Sequence, residues 1–144
     1  MKFGIVKDWM TESGLRAVVY MTEMGHHCGY VGVPENHPAY GMDYSDDALE
    51  GIEVHGGLTY SSQNEDYPVT SETPIQWLGY DCGHAWDAPS PEYYDSLNEV
   101  TQKYSRSFHD SDCIFRDVEY CMKECESLGK QLLACIRITK WSES

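Results

Sequence analysis

Two histidines and two aspartates stand in a stretch where glycines clear space around them, so acid–base, ligand-binding or metal chemistry is within their reach. His55 belongs to Val54-His55-Gly56-Gly57-Leu58-Thr59-Tyr60, and Asp81, His84 and Asp87 belong to the run from Gly79 to Asp87. A histidine beside two glycines can offer its ring and nearby backbone N–H groups to one small ligand, because the missing side chains let the ligand approach the main chain. The same ring could instead be a hydrogen-bonded member of a core bulge. If Asp81 ends a strand and His84 lies on the turn after it, two carboxylates and an imidazole converge as general acid and base or as metal ligands. His55, His84 and either Asp81 or Asp87 would then leave a fourth position open, although this spacing belongs to no standard zinc signature. A carboxylate at 81 or 87 is also a natural acceptor for ribose hydroxyls.

A third set, His37 and Tyr40 in Asn36-His37-Pro38-Ala39-Tyr40-Gly41 with Asp43 and Tyr44, lies on a loop expected to close over the site. His26-His27-Cys28 looks ligand-like, but consecutive strand side chains face opposite ways, so only His26 and Cys28 could share a face. Cys82 could be a nucleophile beside His84 or His55, yet the surrounding acids raise a thiol's pKa and disfavour cysteine catalysis. The chain has no phosphate loop ending in Gly-Lys-Ser/Thr, no G-x-S-x-G elbow and no H-E-x-x-H.

The elements that must position these residues read as follows. Residues 3–7 form a short first strand, with Asp8-Trp9-Met10 in a turn or loop. Leu15–Met21 and His27–Val33 form an antiparallel hairpin turned near Gly25. Gly29 and Gly32 weaken its second strand unless a backbone, an aromatic ring or a ligand packs closely there. Residues 34–47 are loop by composition. Ile52–Ser61, which carries Tyr60, is a strand broken by a bulge at Gly56-Gly57, and Ile75–Cys82 is the next. Ser90-Pro91-Glu92 starts a helix to about Tyr104, with Tyr93, Leu97, Val100 and Tyr104 on its apolar face. Ile114, Val118, Cys121, Cys125, Leu128, Leu132 and Ile136 recur at helical steps, so a long helix capped by Ser111 or Asp112 follows. Its cysteines, including Cys135, read as small core residues. Gly129 asks for a close crossing, and Ile136–Thr139 could turn strand-like. The fold class expected is α+β: a mostly antiparallel sheet with one long C-terminal helix and a shorter helix packed on one face.

The 144 residues fit one domain, 1–144. The N-terminus lacks a signal-peptide core and no stretch approaches the length of a membrane span, so a cytoplasmic protein with reduced thiols is expected. The net charge is −14, and residues 41–100 carry thirteen acids and no Lys or Arg. Such a block opposes direct contact with nucleic acid and suits a cation, a metal-bridged ligand or a basic protein surface; it also serves simply as a solvated face.

The motifs His37-Pro38-Ala39-Tyr40-Gly41, Val54-His55-Gly56-Gly57-Leu58-Thr59-Tyr60 and Gly79-Tyr80-Asp81-Cys82-Gly83-His84 resemble a family of small uncharacterised bacteriophage and prophage proteins. The resemblance implies a virus-encoded protein acting in a bacterial host cytoplasm and carries no residue roles with it. Small accessory proteins of this kind often counter host defences, which frames three readings. The first is binding of a small polar, nucleotide-type immune signal through His37, Tyr40, His55, Gly56, Gly57, Tyr60, Asp81, His84 and Asp87. Trp77 and Trp86 would help to stack the base, Lys103 or Arg106 would be the nearest phosphate partners, and neither metal nor cofactor is needed. The second is an acidic inhibitor that blocks the basic nucleic-acid-binding surface of a host defence protein. The third is a metal-assisted phosphodiesterase or hydrolase using His55, His84, Asp81 and Asp87.

Overall fold

The computed structural model describes residues 3–63, 66–84, 87–96 and 114–143, with side chains described as far as residue 134. Five strands, β1 (Gly4–Met10), β2 (Arg16–Met21), β3 (His27–Pro34), β4 (Tyr60–Ser62) and β5 (Ile75–Asp81), form one sheet in the order β1-β2-β3-β5-β4. Every neighbouring pair is antiparallel. The β2–β3 hairpin turns at Gly25, whose φ of 84° only glycine adopts freely.

The alternation of β3 and β5 divides two cores. Ala17, Val19, Val31, Val33, Leu78 and Tyr80 point to one face, where the helix α2 (Val118–Glu143) lays down Cys121, Cys125, Leu128 and Leu132. Those four recur at steps of four, three and four, the seam of a helix lying on a sheet. On the other face Val18, Tyr30, Val69 and Trp77 are sealed by Tyr20, Tyr60 and Tyr67. Gly29 opposes Tyr80 across the ladder, and a Cβ there would sit 2.4 Å from that ring. The aromatic ring that sequence demanded at Gly29 is thus Tyr80, whose hydroxyl donates 2.7 Å to the Cys121 carbonyl and ties α2 to the sheet.

Several expectations need correction. Among the described residues the sheet is wholly rather than mostly antiparallel, and only α2 covers a face of it. The shorter helix, α1 (Pro91–Ser96), has no buried residue and is not packed on the sheet; its Tyr93 meets the hairpin turn at Gly25. Ser90 does cap it, accepting the Tyr93 N–H at 3.2 Å. Leu97, Val100 and Tyr104 lie outside the described residues, as do Ser111 and Asp112. α2 is capped instead by Asp117, whose Oδ1 accepts the Tyr120 N–H at 2.8 Å, and it stays helical through 136–139. Ile114, expected on its stripe, is 55% exposed and bridges to Asp87. Asp8-Trp9-Met10 continues β1, because Asp8 holds Arg16 across the ladder at 2.8 Å and Trp9 Nε1 donates to Glu126 on α2. Gly129 makes the close crossing it asked for, with Ser13 and Thr11 of the β1–β2 turn against it.

Cys121 and Cys125 are fully buried, and burial pushes the Cys125 thiol up to about 12. At pH 8 roughly one Cys125 in ten thousand would be thiolate. Both cysteines are expected to resist a bulky thiol reagent in the native protein and to react at once in denaturant, as a timed labelling series would read. Native labelling as fast as denatured labelling would contradict this packing.

Candidate functional site

The site forms where one end of the sheet meets the start of α2. Ile52, Val54 and Leu58 pack on the helix-side core, and Gln131 holds the Glu53 backbone through two 2.7 Å hydrogen bonds. The loop then reverses at Gly56 and Gly57, with φ of 67° and 82°, and Gly57 N–H donates to the Val54 carbonyl. The expected mid-strand bulge is therefore a turn, and the strand is only Tyr60–Ser62. That turn pushes His55 inward. At the end of β5, Asp81 accepts the Gly83 N–H at 3.0 Å and bends the chain, bringing His84 back beside Gly56. Asp87 is pinned by its own N–H to the His84 carbonyl and by the Ala88 N–H to the Ile114 carbonyl, both at 2.9 Å.

Asp87, with no exposed surface, is the hub. Its two oxygens each stand 3.0 Å from His55 Nε2. One oxygen also accepts the His84 N–H at 3.1 Å and lies 3.3 Å from His84 Nδ1, while the other accepts Arg116 Nε at 3.2 Å. Burial pushes the Asp87 carboxyl up, but the hydrogen bonds from His55 and the His84 backbone and the nearby Arg116 outweigh it and hold the group below the usual carboxylate range. His55 Nδ1 faces the Tyr120 hydroxyl at 2.8 Å, and the Arg116 guanidinium lies 4.9 Å over the Tyr120 ring. His55 is buried, whereas the His84 and Arg116 side chains keep about a fifth of their surface exposed (20% and 22%), so solvent reaches the cluster from their side.

The structure brings His55, His84 and Asp87 together, where sequence left Asp81 and Asp87 as equals. Asp87 occupies the centre; Asp81 stands at the rim, 39% exposed, 3.7 Å from His84 Nδ1 and bonded to the Thr59 hydroxyl. His37 does not join them. It is buried, its Nδ1 accepts the Ala39 N–H, and burial lowers its basicity. Tyr40 packs on the helix-side core, and Tyr60 belongs to the aromatic cluster of the opposite face, 5.2 Å from Tyr30. Asp43 and Tyr44 are bonded to Ser61 beside β4. The 34–47 loop thus packs against the core through His37, Ala39 and Tyr40 instead of closing over His55. Trp77, proposed for stacking, is fully buried, and Trp86, Lys103 and Arg106 lie outside the described residues. His27, not His26, turns toward the helix start, with Nδ1 2.7 Å from the Arg116 carbonyl. Cys82 is buried, its thiol lies 3.6 Å from Cys121 Sγ, and that contact with burial drives its pKa far up, against a thiolate there.

Arg116 and Tyr120 are what sequence reasoning missed. They lie 29 and 65 residues from the partners they hold, Asp87 and His55, and no local spacing links them. A cavity of about 760 Å³ lined by Val6, Met21, His27, Ser90 and Phe115 adjoins the same segment, but none of the clustered side chains lines it.

Gly56 sets the His84 ring in place: a Cβ there would lie 2.3 Å from it, and the φ of 67° is left-handed. Gly56→Ala is expected to destabilise the fold by about 1 to 2 kcal/mol and to displace the His84 ring. A thermal melt and the His84 ring resonances read these two effects; an unshifted ring would contradict the close packing.

Comparison of the chain with models of protein families, with characterised proteins and with solved structures finds no match. Its fold and site define it as a small antiparallel-sheet protein with a histidine–aspartate cluster at the junction of sheet, loop and helix. Among the described residues, no helix is long and apolar enough to cross a membrane.

Proposed function

We propose that this chain is a phage-type accessory protein of the bacterial cytoplasm that binds a small polar ligand at the His55–His84–Asp87 cluster. The ligand class is nucleotide-like, and the role is sequestration of a host immune signal. One observation carries the reading: a fully buried carboxylate holds two imidazoles and a guanidinium together at a point that opens to solvent. Apolar residues would tie loop to helix as well or better than buried charge does, so such a cluster is weak as a structural device. A buried carboxylate held below its usual range among imidazoles and a guanidinium is more characteristic of functional sites. Arg116, set in a chain of net charge −14, gives an anionic ligand a local cation, and His84 and Tyr120 add polar contacts beside it.

A native mass spectrum of protein purified gently from bacterial cells tests this. A non-covalent adduct of nucleotide mass is expected on the wild-type chain and not on folded His84→Ala. A bare wild-type chain from cells that make such signals would overturn the reading.

A further inference from the structure

The geometry points to a divalent transition-metal site formed by His55, His84 and Asp87. This inference concerns the same cluster as the ligand reading but stands on the donor atoms alone. One donor atom from each residue lies within 4.8 Å of the other two. Donors bound at about 2.0–2.1 Å to one zinc ion stand about 3.3 Å apart in a tetrahedron. The 3.0 Å from His55 Nε2 and the 3.3 Å from His84 Nδ1, both to Asp87 Oδ2, are edges of that size. The remaining edge, between the two imidazoles, lies within the same 4.8 Å.

The outer partners match what such sites use. The Tyr120 hydroxyl stands 2.8 Å from His55 Nδ1, which leaves Nε2 as the ring nitrogen turned to the two Asp87 oxygens, and Arg116 Nε holds the Asp87 oxygen turned from His84. Two imidazoles and a carboxylate suit zinc or a similar ion, and three protein ligands leave a fourth position on the solvent side for water or an anionic group.

Cobalt(II) titration of the chelator-treated full-length chain, followed in the visible spectrum, tests the site. One equivalent should bind with bands of low coordination number and no sulfur-to-cobalt charge transfer, since no cysteine is among the ligands, and zinc should displace it. His84→Ala should weaken binding at least tenfold. Tyr120→Phe, which keeps all three ligands, should weaken it about 10- to 100-fold, whereas Asp46→Asn with Asp47→Asn should leave it unchanged. No cobalt uptake, a thiolate band, or equal uptake by folded His84→Ala would overturn the metal site; the first result would mean that a proton alone lies between His55 and Asp87. Nucleotide binding without cobalt uptake sinks this inference and spares the ligand reading, and cobalt uptake without nucleotide binding does the reverse.

Discussion

Asp87→Asn is expected to lower folding stability by about 3 kcal/mol, read as a lower urea midpoint in tryptophan fluorescence. Removing one partner of a buried ion pair typically costs about 3 to 5 kcal/mol, and the low end applies because Arg116 keeps solvent on one side. Asparagine preserves shape but puts an N–H₂ group among donors. It would face His55 Nε2, the His84 N–H or Arg116 Nε, all of which now meet carboxylate oxygens. The loop at 52–59, the β5 end and the start of α2 would lose their common tie together. A change below about 0.5 kcal/mol, the size of an ordinary surface substitution, would contradict a hub at Asp87.

His84→Ala is expected to reduce affinity for the bound ligand about 5- to 150-fold, the equivalent of a hydrogen bond worth about 1 to 3 kcal/mol. Neutralising Asp46, Asp47 and Asp66 together should change it little. All three acids are exposed, and exposed charges are screened over roughly 8 to 10 Å at physiological salt; Glu65, in the same acidic block, lies outside the described residues. Binding assays at two salt concentrations separate the cases. Full activity in His84→Ala, with a steep salt-dependent loss in the triple acidic variant, would put an acidic inhibitor of a basic protein surface in place of the ligand reading.

What could be read in advance follows from the range of each signal. The α2 seam was legible from Cys121 to Leu132 because helical periodicity is local, and so was the hairpin at Gly25. Where a strand ends was less legible. Asp8-Trp9-Met10 has turn-like composition, and its strand state is set by Arg16 and Glu126, the latter more than a hundred residues away. Gly56-Gly57 reads alike as bulge or turn, since positive φ serves both. At the site, glycines beside histidines marked His55 and His84, but nothing local distinguished Asp87 from Asp81. That difference comes from the bridge to Ile114, which buries one and leaves the other at the rim. His37 and Tyr40 looked like lid residues because their loop is polar, yet their own contacts draw them into the core.

The most direct measurement is a nitrogen-15 spectrum of the histidine rings, recorded before and after adding a nucleotide-type ligand recovered from bacterial cells. The chain has six histidines, which such a spectrum can resolve individually. Ring nitrogens of His55 and His84 are expected to shift together while those of His37, buried under α2, stay in place. A shift at His27, which lines the 760 Å³ cavity, with His55 and His84 unmoved, would contradict the account.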